Sequence, residues 1–298
     1  MAQSATIQGQ GALPPLAACI ELLKPITWFP PMWAFGCGVA SVAVTSYSWS
    51  LLITGVVLCG PLVCGTSQAV NDWFDRHVDA INEPNRPITS GRIAGRWGLW
   101  ISLAWTTVSL LVSTALGSVG FVATAIGLLL AWLYSAPPVR LKRNGWWGNA
   151  AVGLCYEGLP WVTGAAVMSM AMPSAAVFVL ALLYSIGAHG IMTLNDFKSI
   201  DGDRRMDIGS LPARLGAARA ARVACHVMAW PQLLVAVLLA HWHRPLFAAA
   251  VGTLLLIQVV LMRRLLRQPR ELAPWYNATG ISLYVIGMLI SAFAARGV

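Results

Sequence analysis

Charge is scarce in this chain of 298 residues: Asp, Glu, Lys and Arg together make up 10% of it, where a soluble domain carries roughly 25%. With 57% apolar residues and a mean hydropathy of +0.67, a water-soluble globule is excluded. Paired-cysteine motifs are missing too. Cys19, Cys37, Cys59, Cys64, Cys155 and Cys225 show neither CxxC nor Cys/His spacing, so no disulfide framework or zinc site is expected, only buried thiols. No Lys or Arg precedes Lys24, which is unlike a secretory signal or a transit peptide. No acidic DGxxAR pattern is present, which argues against a phosphatidyltransferase. Acids are the scarcest class, 11 against 20 Lys and Arg. The surplus of +9 fits nucleic acid, an anionic substrate or an anionic membrane surface. Nucleic acid is the weakest of these, because no basic helix or aromatic-basic platform stands apart from the apolar runs.

Those runs are what the sequence has in abundance: 26–46, 51–70, 97–116, 119–135, 150–169, 174–194, 223–240, 245–262 and 277–295. Hydrocarbon offers backbone groups no water to bond, so runs of this length must be helices. The expected fold is an all-α integral membrane protein of about nine transmembrane helices, one domain spanning 26–298 behind a cytoplasmic segment 1–25. Pro30, Pro31, Pro61 and Pro160 should kink their helices. With the amino terminus inside, 18 of the 20 basic residues fall on the cytoplasmic side and only Arg244 and Arg296 opposite, which places the carboxyl terminus in the periplasm. Most of the 14 Trp are expected to anchor at the headgroup boundary, with a few, Trp146 and Trp161 among the candidates, free to stack on a ligand.

Eight of the 11 acids gather in two windows, Asp72, Asp75, Asp79 and Glu83, and Asp196, Asp201, Asp203 and Asp207. If the helix ending near Val70 continues, Asp72, Asp75 and Asp79 lie within about 60° of one another. Asp196 and Asp203 also share a face if Gly202 leaves their helix unbroken. Carboxylates stacked at a membrane boundary need a cation. Magnesium suits them, being a hard ion that takes a few carboxylates together with phosphate oxygens and water. Arg76, Arg86, Arg140, Lys142, Arg143, Lys198, Arg204 and Arg205 lie on the same side, as a polyanion would require. Acids, metal and bases together describe a diphosphate site.

The run Asn71-Asp72-Trp73-Phe74-Asp75-Arg76-His77-Val78-Asp79, with Asn85-Arg86-Pro87 after it, resembles the NDxxDxxxD and NRP signature of the UbiA superfamily of intramembrane prenyltransferases. Tyr134-Ser135-Ala136-Pro137-Pro138 with Arg140-Leu141-Lys142, and Asn195-Asp196-Phe197-Lys198 through Gly202-Asp203-Arg204, resemble two further family segments. Lys24 through Trp33 and Ile81 through Ile88 look most like the chlorophyll and bacteriochlorophyll synthase branch, and a short amino terminus favours its bacterial side. One departure is Ser199, which stands where many relatives have the first acid of a second DxxxD; Asp196 and Asp203 are expected to serve instead.

The resemblance implies transfer of a geranylgeranyl or phytyl group from its diphosphate to the propionate of bacteriochlorophyllide a, in a bacterial cytoplasmic or intracytoplasmic photosynthetic membrane and alongside other pigment-pathway enzymes. Asp72, Asp75, Asp196 and Asp203 would hold Mg2+, with Asp79 a ligand or a supporting partner. Arg76, Arg86, Arg140, Lys142 and Lys198 would bind diphosphate oxygens, and Asn71 and Asn195 would orient carboxylates or water. An acceptor carboxylate is ionised at neutral pH, so no catalytic base is required. Glu157, His189, Tyr134 and Asn195 are candidates for the acceptor pocket, with an alternative for Glu157 and His189 as hydrogen-bonded groups between helices. The same acids would serve an aromatic prenyltransferase making quinone, tocopherol or haem O precursors. A cation-coupled transporter would also fit the hydropathy, although its acids belong nearer mid-bilayer.

Overall fold

The computed structural model describes residues 13–298. The nine apolar runs are largely helical, although the first, 26–46, is helical only as far as Ala40. The elements are α1 (Leu16–Leu22), α2 (Phe29–Ala40), α3 (Trp49–Val57), α4 (Gly65–Asn82), α5 (Trp97–Ser113), α6 (Gly117–Ser135), α7 (Gly145–Gly153), α8 (Leu159–Ser169), α9 (Ala175–Asn195), α10 (Ile200–Arg205), α11 (Leu211–Leu215), α12 (Ala217–His241), α13 (Pro245–Leu265) and α14 (Pro269–Ala294). Among the described residues there is no strand, only one bridge between Asn144 and Gly209. Buried hydroxyls such as those of Thr66, Ser102 and Ser109 donate to the carbonyl four residues back, which satisfies them inside their own helix.

The protein is a multi-pass membrane protein: among the described residues, six stretches are long and apolar enough to cross a bilayer. One of these, Trp97–Ser135, folds back on itself. Gly117 takes φ 72° at the turn, a conformation open to glycine, and the Trp132 indole then donates to Thr106 on the preceding helix at 3.1 Å. Three of the nine expected crossings differ from simple spans. Helix α2 has only 12 residues, and the run 150–169 is interrupted by a π segment, Leu154–Gly158. Pro61 likewise sits inside a π segment, Leu58–Cys64. The wider turn accommodates a residue that cannot donate to the ladder.

The charge asymmetry read from the sequence divides the molecule by its ends. Arg296 donates to the Ala40 carbonyl at 2.7 Å and the Tyr47 hydroxyl at 3.0 Å, and Arg244 donates to the Arg296 carbonyl. At the other end of α14, Arg270 pairs with Asp201. The segment expected as an amino-terminal tail is partly structured: α1 buries Ala18 and Leu22 beside Ala69 and Ile101, because its apolar face has a neighbour to cover it. Residues 1–12 of that segment lie outside the described residues. Cys37, Cys64 and Cys225 are buried, whereas Cys19, Cys59 and Cys155 are only partly so, and none is bridged.

Helices α2 and α8 cross at backbone contact. A Cβ on Gly38 would lie 2.0 Å from the Trp161 carbonyl oxygen, and one on Gly164 would lie 2.3 Å from that of Phe35. Small residues let helices approach closely in a bilayer, where no hydrophobic force drives them together. Gly38→Leu and Gly164→Leu are therefore expected to cost at least about 1–3 kcal/mol, read as a lower unfolding midpoint of the detergent-solubilised protein. Gly36→Ala, with no atom within 4 Å of the added group, should leave that midpoint unchanged.

Candidate active site

Helix α4 does not stop at Val70; it runs on to Asn82 and carries Asp72, Asp75 and Asp79 along one face. Asp72 is 1% exposed. Its Oδ1 accepts from Lys24 Nζ at 2.7 Å and from Arg86 Nη1 at 3.1 Å. Arg86 Nη1 also donates to Asp79 at 2.6 Å, while its Nε and Nη2 grip Glu83 through two bonds of 2.7 Å. One guanidinium thus holds three carboxylates, and it keeps the Glu83 carboxyl below its usual range.

Asp75 turns the other way. It accepts from Asn71 at 3.0 Å, from Arg140 at 3.4 Å and from Lys142. Asn71 also reaches Ser135, tying α4 to the end of α6. Burial pushes the Lys142 ammonium below its usual value against the pull of Asp75. Lys24 and Arg140 share a backbone feature: both adopt left-handed φ, 47° and 42°, immediately before a short 3-10 turn. Left-handed geometry at a residue with a side chain costs about 1 kcal/mol or more. Here it turns two cations back onto the acidic face.

The second window changes pitch. Helix α9 ends at Asn195, Asp196–Ser199 form a 3-10 turn, and α10 resumes at Ile200. Asp196 accepts from Asn149 at 3.4 Å. Asp203, 9% exposed, accepts from Ser199 at 3.0 Å and Ser210 at 2.5 Å. Asn195 accepts from Asn277 of α14 at 2.6 Å. The two windows lie near enough for the Asp75 charge to act on Asp203, for those of Asp196, Asp75 and Asp203 to act on Tyr134, and for that of Lys198 to act on Glu83.

Other expected residues stand apart. Arg76 donates to the Trp73 carbonyl and lies 4.2 Å over that indole, in contact with none of the acids. Lys198 is exposed and makes no ion pair among the described residues. Glu157, on the second π segment, is buried with one carboxyl oxygen unpartnered; its neighbours include Cys37 and Tyr284, and it pairs with none of the aspartates among the described residues. His189 is buried on α9, against Trp146. Lys24, Asn149, Ser210 and Asn277 were not expected at the site. Lys24 was visible as the one cation ahead of the first apolar run; Asn149 and Asn277 are single polar residues whose partners lie 47 and 82 positions away, and Ser210 meets Asp203 through a loop without a regular period.

Among the described residues, no three His, Cys, Asp or Glu side chains are grouped so as to hold a metal alone. Protein carboxylates would then fill only part of a coordination shell, as they ordinarily do for magnesium with phosphate and water. One atom fits this: Asp72 Oδ2 is buried and has no hydrogen-bond partner, leaving a hard oxygen lone pair uncommitted.

An all-helical bundle with two aspartate-bearing helix ends meeting beside a group of cations defines the class. The chain belongs to the UbiA prenyltransferase family, whose model matches residues 27–293. It is 56% identical to the bacteriochlorophyll synthase 33 kDa chain of Cereibacter sphaeroides over 96% of this chain and 95% of that one. The Rhodobacter capsulatus protein of the same name is 54% identical, with 96% and 95% covered. The chloroplastic chlorophyll synthase of Oryza sativa is 37% identical, with 92% and 76% covered. A UbiA homolog from Archaeoglobus fulgidus, solved bound to GPP and Mg2+, shares the fold at a TM-score of 0.72 and 18% identity, covering 89% of this chain and 99% of that one.

The network separates two cations by consequence. Arg86→Ala leaves Asp79 without an ion pair, whereas Lys24→Ala leaves Asp72 its bond to Arg86. The first should cost about 3–5 kcal/mol and the second about 1–2 kcal/mol, measured by thermal unfolding in detergent. Asp79→Asn should recover part of the Arg86→Ala loss in a double-mutant cycle.

Proposed function

We propose that this chain esterifies bacteriochlorophyllide a, joining the oxygen of its propionate to C1 of a geranylgeranyl or phytyl group as the allylic C–O bond to diphosphate breaks. The observation that carries this reading is the 56% identity to the Cereibacter sphaeroides bacteriochlorophyll synthase over nearly the whole of both chains. The identity falls to 37% for the chloroplastic chlorophyll synthase of Oryza sativa, which favours the bacterial acceptor.

The chemistry assigns roles to this chain's residues. Asp72, Asp75, Asp196 and Asp203 would hold Mg2+, Asp72 through the oxygen that no protein group claims. Bound there, the metal would neutralise charge developing on the departing diphosphate. Arg86, Arg140 and Lys142, now lying against Asp72, Asp79 and Asp75, carry the positive charge that terminal diphosphate oxygens need. Asn71 and Asn195 hold carboxylate and amide neighbours in place, and Asp79 keeps Arg86 aimed at the site. Arg76 and Lys198 would act at the periphery, where a diphosphate first meets the protein. The acceptor carboxylate enters ionised and attacks without a base. The apolar helices around the site keep out water that would capture the allylic cation.

The same reading sets the membrane topology. The charge-rich end that holds the aspartates faces the cytoplasm of a bacterial inner or intracytoplasmic photosynthetic membrane, with the amino terminus inside and the carboxyl terminus outside.

Purified protein given geranylgeranyl diphosphate, Mg2+ and either bacteriochlorophyllide a or a hydroxybenzoate should esterify only the first. Ester formation with neither chlorophyllide nor bacteriochlorophyllide would overturn the proposal. Asp72→Asn and Asp75→Asn are each expected to lower turnover at least about 100-fold while the helical far-ultraviolet signal is kept. Chelation should have the same effect, reversed by added Mg2+; full turnover in chelator would remove the metal from the mechanism.

A further inference from the structure

His189 poses a problem that packing does not solve. The residue is 7% exposed, and neither ring nitrogen makes a hydrogen bond of good geometry; the carbonyls of Trp146 and of His189 itself lie nearby, out of line for one. An imidazole kept this way inside an apolar bundle is costly, and a leucine or phenylalanine would pack there at no such cost. A histidine serving only to join helices would donate to a partner.

Its position supplies a use. His189 and Asp196 are seven residues apart on one helical course, about 20° apart in direction and about 10 Å along the axis. Thr193 and Asn149 fill the face between them: Thr193 donates to the His189 carbonyl at 2.9 Å, and Asn149 donates to Thr193 at 3.2 Å and to Asp196 at 3.4 Å. Beside the imidazole stands Trp146, ring centroids 5.3 Å apart and planes 33° from parallel. Trp146 is 47% exposed, so the ring beside the buried imidazole also reaches the surface of the bundle.

We propose that His189 is the axial ligand to the magnesium of the tetrapyrrole acceptor, with Trp146 lying over His189 until the macrocycle arrives and then stacking against it. Neutral imidazole is the commonest nitrogen ligand for a metal, and magnesium in a tetrapyrrole takes a further ligand on the face of the ring. Ligation at His189 would fix the ring centre about two helical turns from Asp196. That brings a propionate on the ring edge toward the diphosphate site while the rest of the ring stays on the α7 side. His189 then acts as a positioning and specificity residue: it distinguishes an acceptor that carries its metal from one that has lost it. The assignment rests on the bacteriochlorophyllide reading of the same site.

The test uses the full-length protein in detergent without prenyl donor, mixed with bacteriochlorophyllide a or with its magnesium-free counterpart. The absorption band that responds to axial ligation should move to a nitrogen-ligated position on binding. In His189→Ala it should return to the solvent-ligated position, and added imidazole should restore it. With donor present, the variant's KM for the magnesium acceptor should rise about tenfold with kcat little changed, while the metal-free acceptor should show equal KM in both proteins. An identical band in wild type and variant would overturn the ligation. So would a solvent-ligated band in the wild type, a measurement that holds even if the variant fails to fold. If the wild type esterifies no tetrapyrrole, the proposed function fails, and the band still decides the ligation separately; if it takes up none, both fall.

Discussion

Keeping aspartates ionised at the edge of a membrane is the constraint around which the rest of this molecule is arranged. Four carboxylates would repel one another and resist leaving water. Asp72 and Asp75 are met by cations, Lys24 and Arg86 for one and Arg140 and Lys142 for the other. Asp196 and Asp203 receive only neutral donors, an amide and two hydroxyls. The first helix end is therefore balanced by the protein's own cations, whereas burial pushes the Asp196 and Asp203 carboxyls of the second upward with no ion pair to oppose it among the described residues. On the proposed reading, a divalent ion between them would be drawn chiefly by the second and would free the lysines and arginines of the first for a diphosphate.

The backbone serves the same purpose. Lys24 and Arg140 sit in a strained region of φ/ψ that turns each cation inward. Two π segments, Leu58–Cys64 and Leu154–Gly158, lie upstream of α4 and α8, where proline would otherwise break the hydrogen-bond ladder. They are joined near the site by Tyr156, whose hydroxyl meets Cys64 and accepts from Gln68 at 3.2 Å. Wider turns at both places let α4 and the second π segment pack together without orphaning backbone groups in hydrocarbon.

Much of the candidate site was legible from residue spacing, because a helix converts spacing into direction. Asp72, Asp75 and Asp79 had to share a face once α4 continued. Asp75 and Asp79 nevertheless point to different partners, since Asp75 meets α6 and the Arg140–Lys142 turn while Asp79 meets Arg86. Arg76 shows the limit of the argument: its charge and place in the motif suited an anion, yet its guanidinium folds back on Trp73, where a carbonyl and a ring are nearer than any acid. Of the hydroxyls on Asp203, Ser199 stands four residues before it, a spacing visible in the sequence, whereas Ser210 comes from a loop whose approach only the folded chain decides.

By itself the sequence determined the helical membrane fold, the sidedness of its charge and the two clusters of acid, because each follows from local physics: backbone groups in lipid must bond within their own helix, lysine and arginine stay on one side, and a period of 3.6 aligns side chains. Tertiary structure decided which cation meets which carboxylate, that the two acidic ends converge, that α1 packs against the bundle, and that His189 is buried without a partner. Those outcomes depend on contacts between residues tens to hundreds of positions apart, and neither composition nor periodicity records which distant faces come to rest against each other.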